Sequence, residues 1–336
     1  MSVLAGLMLA GSGQAYARTE PVTLTFSHFL GPDSFFQVDL IEPWARALER
    51  ESKGQLRVSI VNNTSPLGEV TSQAANVEAG RVNIALGLRG AEGARFPGTS
   101  VVEVPLAVRD ASNGSRALWR LYKEGDLASE YAGYKVLAIF VQNPGLIHTT
   151  EKPVAVPRDM VGLRLRAPHA AAASALEMIG AKPAILQVND VMPALDAGEL
   201  DGIVTNWGNP LPGFDAKMRY HTDVQFYTAA FFILMNKQKF EALPASTQRL
   251  INRHSGLQWV EQIGKLWNKW DAEVRERSLA RGQTIFVPDE AQMSEWKQAL
   301  DPAVEAYLDK LGQQFPQARP VHERFMQYQQ DALTSP

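Results

Sequence analysis

Two successive blocks of short β-rich runs interleaved with helical patterns constrain this chain most, because strands joined through helices run parallel and need both sheet faces covered. In the first block Val22 to Ser27, Gln55 to Val61, Val82 to Leu86 and Val101 to Val104 read as strands, with helices at Phe35 to Ser52 and Glu69 to Ala79. The second block has strand patterns at Tyr134 to Gln142, Gly162 to Arg166, Ala184 to Gln187 and Asp201 to Thr205. Helical patterns at Ala170 to Ile179 and Val191 to Ala197 separate them. Two sheet-forming blocks in one chain of 336 residues predict an α/β protein with two lobes.

The later sequence changes period. From Pro244 to about Arg281, Leu250, Ile251, Leu257, Val260, Ile263, Trp267, Trp270 and Val274 recur mostly at three- and four-residue spacing. One long helix, or two nearly continuous ones, is predicted, and about 35 residues would reach about 50 Å, enough to cross both lobes. The Trp267 and Trp270 stripe reads as packing for this helix rather than as a ligand cage. A short strand from Thr284 to Val287 follows, Asp289 opens another helix, and Asp301-Pro302 reads as a cap restarting a helix to about Leu311.

Composition excludes several functions. The 33 basic and 36 acidic residues are interspersed and give a net charge of −3, so neither nucleic acid nor an anionic membrane is an expected partner. The absence of cysteine removes disulfides, thiolate zinc sites, iron–sulfur clusters and cysteine nucleophiles together. The 6 histidines show no metal-ligand spacing, Gly87, Gly90 and Gly93 match neither a dinucleotide nor a P-loop pattern, and no Gly-x-Ser-x-Gly elbow is present. No metal, cofactor or catalytic group is therefore expected. At the start, the apolar Val3 to Gly11 and the small-x-small Ala15-Tyr16-Ala17 read as an export signal over residues 1–17, cleaved before Arg18. The longest later apolar run, Thr228 to Met235, is far too short to span a bilayer.

An ordered set of motifs then points further. Phe26-Ser27-His28-Phe29, Glu42-Pro43-Trp44-Ala45, Leu67-Gly68-Glu69, Arg95-Phe96-Pro97 and Pro105-Leu106 precede Gly162-Leu163-Arg164-Leu165-Arg166-Ala167-Pro168. Gly180-Ala181-Lys182-Pro183, Val191 to Leu195, Gly198-Glu199-Leu200-Asp201-Gly202 and Asn236-Lys237 complete it. Together they resemble the extracytoplasmic solute receptors of TRAP transporters, the DctP-type family. The resemblance implies a periplasmic venus-flytrap fold in which two α/β lobes close on a small organic acid and a long helix crosses both. It implies no enzymatic activity and no cofactor. The expected partners are the small and large membrane subunits of a TRAP permease, with the receptor itself a monomer. The lobes are expected as 18–145 for the first part of lobe I, 146–225 for lobe II and 226–255 for the return to lobe I. The stretch 256–336, with the long helix and C-terminal helices, is expected mainly on lobe II.

In this family the arginine closing the Gly-Leu-Lys/Arg-x-Arg segment pairs with the ligand carboxylate, which corresponds to Arg166. A guanidinium offers a planar fork of donors matching two carboxylate oxygens. Arg164 lies two residues away on the same strand, so alternation alone does not choose between them. Where many relatives carry a second arginine, this chain has Leu146-Ile147. After Asp201-Gly202 it continues Ile203-Val204-Thr205-Asn206-Trp207, which places Thr205 or Asn206 at a polar contact and Trp207 as an aromatic surface. With Phe231 and Phe232, this version is similar to the branch taking aromatic or bulky monocarboxylates. His28 and Phe29 at the end of the first strand, and Arg89 and Arg95 in a Gly-rich loop after a strand, are further candidates for the cleft. A periplasmic sensor partner, or an acid-processing enzyme using the same cleft, is the alternative reading.

Overall fold

The computed structural model describes residues 20–186, 188–208, 211 and 213–334, so the proposed export signal at 1–17 lies outside the described residues. The strands are β1 Val22–Ser27, β2 Leu56–Val61, β3 Ile84–Leu88, β4 Tyr134–Val141, β5 Gly145–Thr149, β6 Arg164–Ala167, β7 Lys182–Ile185, β8 Gly202–Thr205, β9 Tyr220–Tyr227, β10 Ala230–Asn236 and β11 Thr284–Phe286. The helices are α1 Glu42–Glu51, α2 Gln73–Glu78, α3 Ala111–Glu124, α4 Ala170–Met178, α5 Val188–Asp196, α6 Phe214–Lys217, α7 Lys237–Glu241, α8 Ala245–Arg253, α9 Leu257–Ala280, α10 Glu290–Gly312 and α11 Ala318–Thr334.

They form two sheets, in the orders β2-β1-β3-β10-β4 and β11-β9-β5-β8-β6-β7. In the first, β1 runs parallel to β2 and β3, while β10 is antiparallel to β3 and β4. The uninterrupted apolar runs of β3 and β10 suit central strands covered on both faces, and nearly all of their residues are buried. In the second, β6 is parallel to β7 and β8, and β5 is antiparallel to β8 and β9. Each sheet with its helices makes one lobe.

The chain crosses between the lobes at residues 142–144 and 228–229, between β4 and β5 and between β9 and β10. The two crossings are bonded together: Gln142 N–H donates to the Ala229 carbonyl at 3.1 Å, and the Thr228 hydroxyl to the Gln142 carbonyl at 2.9 Å. Helix α9 makes a third link, packing on α3 and β4 of the first lobe and on α6 of the second.

Three expectations are corrected. Residues Thr99–Val102 form a 3-10 turn rather than a strand, with Ser100 and Val101 N–H groups bonded back to Pro97 and Gly98, because the four residues Val101 to Val104 are too few for a period to distinguish the two. Of the two helical readings of 244–281, that of two nearly continuous helices holds: α8 and α9 part at His254–Gly256, where Gly256 takes φ 77° and donates its N–H to the Leu137 carbonyl at 2.7 Å. Helix α9 alone has 24 residues and spans roughly 36 Å. Asp301-Pro302 restarts nothing: α10 runs continuously through Pro302, held between α4 and α11. Finally, 256–336 divides between the lobes: α9 and α11 pack on α3 of the first, whereas β11 joins the second sheet and α10 packs on α4.

The Asp201-Gly202 turn shows why a motif glycine is needed. A Cβ at Gly202 would overlap the His148 carbonyl oxygen and lie 3.0 Å from Thr149 Cα, both backbone atoms of the paired strand β5. Gly202→Ala is expected to destabilise the protein by about 1–3 kcal/mol, measured as a lower urea midpoint.

Candidate functional site

Between the lobes lies a cavity of about 450 Å³. One end is polar: Arg166 from β6, Thr205 and Asn206 from the end of β8, Gln142 and Tyr227 from the crossings, and His169 before α4. The rest is apolar, walled by Phe29, Phe35, Phe36, Leu88, Phe231 and Trp267. Phe35 and Phe36 enter from the π-helical segment Phe36–Ile41 and its cap, and Trp267 from α9.

Arg166 dominates the electrostatics. It is 7% exposed, and its Nε–H donates to the Leu186 carbonyl at 3.2 Å. No carboxylate among the described residues pairs with it. Burial holds its pKa below the usual arginine value, the mark of a desolvated cation without a counterion. Arg164 has the opposite fate, at the exposed end of the same strand. Its Nη2 meets Asp201 Oδ1 at 2.6 Å and its Nη1 donates to the Gly198 carbonyl at 2.6 Å. The acid of the Gly-Glu-Leu-Asp-Gly segment therefore serves Arg164, and Arg166 alone of the two reaches the cavity.

Asn206 is set by α9. Asp271 accepts from Asn206 Nδ2 at 3.0 Å and from Gly208 N–H at 2.6 Å, and also from Asn143 and the Trp207 backbone. Burial outweighs these donors and pushes its carboxyl up to about 7. Below Thr205, His148 donates from Nε2 to the Thr205 carbonyl at 3.0 Å, and its Nδ1 meets His221 Nδ1 at 2.7 Å. Burial lowers the pKa of both rings, that of His221 to about 4. Tyr227 bonds to Gln142 at 3.2 Å and to Thr205 through its hydroxyl, which closes the polar end.

Of the residues expected at the site, Arg166, Thr205, Asn206, Phe29 and Phe231 line the cavity. The structure does not bring the other five there. Phe232 neighbours Phe231 on β10, so it points to the opposite sheet face and packs on Gly87 and Phe96. Trp207 is buried against His148 and His221 at centroid distances of 5.1 and 4.5 Å. His28 is fully buried and braces its own loop, bonding Gln37 Oε1 at 2.9 Å and accepting from Leu30 N–H at 3.3 Å. Arg89 is consumed by Glu103 at 2.5 Å, and Arg95 by Glu78 at 2.9 Å on the outer surface. Helical spacing predicts packing for Trp267, and it both packs and walls the cavity. Phe35, Phe36, Tyr227 and Asp271 carried no motif signal; the Phe35-Phe36 pair directly after the Gly31-Pro32 turn is the one local cue.

This fold and cleft define a two-lobed solute-binding protein. The chain belongs to the bacterial extracellular solute-binding proteins of family 7, the DctP family, whose model matches residues 26–310. It is a TRAP-type, periplasmic solute-binding protein, and none of its described helices is long and apolar enough to cross a membrane. A marine metagenome TRAP protein specific for aromatic acid ligands, solved with 3-hydroxybenzoate, is 28% identical with a TM-score of 0.86, covering 93% of this chain and 99% of that one. A TRAP protein from Rhodoferax ferrireducens T118 with copurified benzoate is 26% identical with a TM-score of 0.85, covering 92% and 98%. The 2,3-diketo-L-gulonate-binding periplasmic protein YiaO of Escherichia coli is 22% identical, over 69% of this chain and 70% of its own length.

Proposed function

We propose that this receptor captures an aromatic monocarboxylate, with the carboxylate on Arg166 and the ring against Phe29, Phe36, Phe231 and Trp267, and delivers it to the small and large membrane subunits of a TRAP permease. The observation that carries the reading is Arg166, a buried guanidinium whose fork meets no acid among the described residues. A desolvated cation is costly unless paired, so the anion that neutralises it gains more here than at the surface. One guanidinium at one end of an otherwise aromatic cavity suits one carboxylate and a flat apolar body. The bound benzoate and 3-hydroxybenzoate of the two structural relatives support the same class.

Arg166 belongs to the second lobe and Phe36 and Phe231 to the first lobe. A ligand touching both binds the closed state more tightly than the open one, and that difference is what drives closure. Thermal shifts of ligand-stripped protein with aromatic acids, C4-dicarboxylates, sugar acids and neutral sugars test the class. An aromatic acid at about 100 times its dissociation constant should add roughly 2.7 kcal/mol, a shift of several degrees. Stabilisation by dicarboxylates or sugar acids alone would refute the aromatic pocket.

A further inference from the structure

Trp267 is 2% exposed and lines the cavity beside Phe36 and Phe231, at centroid distances of 5.4 and 5.9 Å. Its indole N–H is buried and has no hydrogen-bond partner among the described residues. Three other buried indoles are paired with protein acceptors. Trp44 donates to the His254 carbonyl at 2.8 Å, Trp270 to Asp39 Oδ2 at 2.8 Å and Trp296 to the Ala155 carbonyl at 3.0 Å. Trp267 and Trp270 lie one turn apart on α9, yet only Trp270 has an acceptor. Among the described residues, four others carry a buried side-chain polar atom without a partner: Gln73, Arg89, Ser278 and Gln329. None of them lines this cavity. A dry, unpaired donor costs stability, and the cost is recovered where a bound molecule brings the acceptor.

We infer that Trp267 is a specificity-determining residue whose N–H is reserved for an acceptor oxygen on the ligand, away from the carboxylate. The preferred ligands are then aromatic acids carrying a hydroxyl, alkoxy or keto oxygen on or beside the ring, rather than the bare aryl acid. The inference rests on the proposed pairing of the carboxylate with Arg166. Trp267 packs within the aromatic cluster of the first lobe, whereas Arg166 stands on the second-lobe sheet. An oxygenated acid therefore bonds to both sides of the cleft, and its closure is favoured twice. The bare acid satisfies Arg166 but leaves the indole N–H dry, and a site that holds a polar group for its ligand discriminates against the analogue lacking it.

The test measures affinities of benzoate, phenylacetate and their 3- and 4-hydroxy and methoxy derivatives by calorimetry, on the wild type and on Trp267→Phe. At least one oxygenated acid should bind the wild type about tenfold more tightly than its parent. In Trp267→Phe the ratio of oxygenated to parent affinity should collapse to about twofold or less, both acids losing alike the ring contact that the smaller side chain removes. The Trp267 indole ¹⁵N–¹H resonance of the wild type, assigned by its loss in the variant, reads the same bond without depending on the variant's stability. It should move downfield with the oxygenated acid and not with its parent. Aromatic acids binding with no oxygen preference would overturn the inference and leave the aromatic-acid reading intact. So would a preference that survives Trp267→Phe, or a resonance held upfield by every ligand, as for an N–H against a ring face. Failure of every aromatic acid to bind would instead remove the reading on which it rests.

Discussion

Replacing Arg166 with alanine should weaken binding of a carboxylate ligand about 30-fold or more, because truncating one member of a buried charge pair costs roughly 2–5 kcal/mol. The loss should appear in the off-rate and vary little with salt, since the pair is shielded from solvent. The unliganded protein should respond in the opposite sense. Among the described residues Arg166 has no acid partner there, and its one hydrogen bond runs to the Leu186 carbonyl. Removing the side chain therefore relieves an unpaired buried cation, and the melting temperature of the ligand-free variant should equal or exceed that of the wild type. Arg166→Lys should bind with intermediate affinity, because an ammonium keeps the charge and loses the planar fork. Titration calorimetry and ligand-free melting measure the two effects separately, and unchanged affinity in Arg166→Ala would remove this residue from the site.

Much of the fold was legible because its signals are periodic. The strands β1, β2, β4 and β8 and the helices α1 and α4 follow from period-two and period-3.6 patterns within a few residues. The site was less legible because cavities are built by residues distant in sequence. Alternation could not separate Arg164 from Arg166, and what separates them is the burial gradient along β6, with Asp201 waiting at its exposed end. Phe231 and Phe232 looked equivalent as a pair, but adjacent strand residues face opposite sides of a sheet, so one of them had to enter the core. Trp267 and Asp271 sit in a helical stripe whose spacing reports packing and says nothing about which face borders the space between two lobes. Arg89 and Arg95 stood in a loop of the right kind, and their acids, Glu103 and Glu78, lie 14 and 17 residues away, where no local pattern reveals a partner.

The stability of the protein should carry opposing pH dependences from Asp271 and from the histidine pair. Burial raises the native carboxyl of Asp271 from 3.8 to about 7, so between those values the native state keeps a proton that the unfolded chain has released. The native state then binds more protons than the unfolded one, and stability falls as pH rises through that window. At about 1.4 kcal/mol per pH unit the full contribution is roughly 4 kcal/mol, absent below the unfolded value and complete above about 7. His148 and His221 act in the opposite direction. Burial lowers His221 to about 4 and His148 below its ordinary range, so on acidification the unfolded chain takes up protons that the native rings refuse. The contribution of His221 to stability therefore rises with pH from about 4 to 6.5, and that of His148 rises in the same direction below 6.5. In the wild type the falling slope of the one carboxyl subtracts from the rising slope of the two imidazoles below about pH 6.5, and of these three groups only the carboxyl still titrates between 6.5 and about 7. Chemical denaturation of Asp271→Asn at a series of pH values should remove the falling slope and expose the rising one. Its stability should decline from pH 6.5 toward 4 and stay level between 6.5 and 8. The same substitution places an amide N–H₂ among the N–H donors of Asn143, Asn206, Trp207 and Gly208, so ligand affinity should also drop as Asn206 shifts at the polar end of the cavity. A pH profile for Asp271→Asn that runs parallel to the wild type would show that this carboxyl is ionised throughout, with its four donors outweighing its burial.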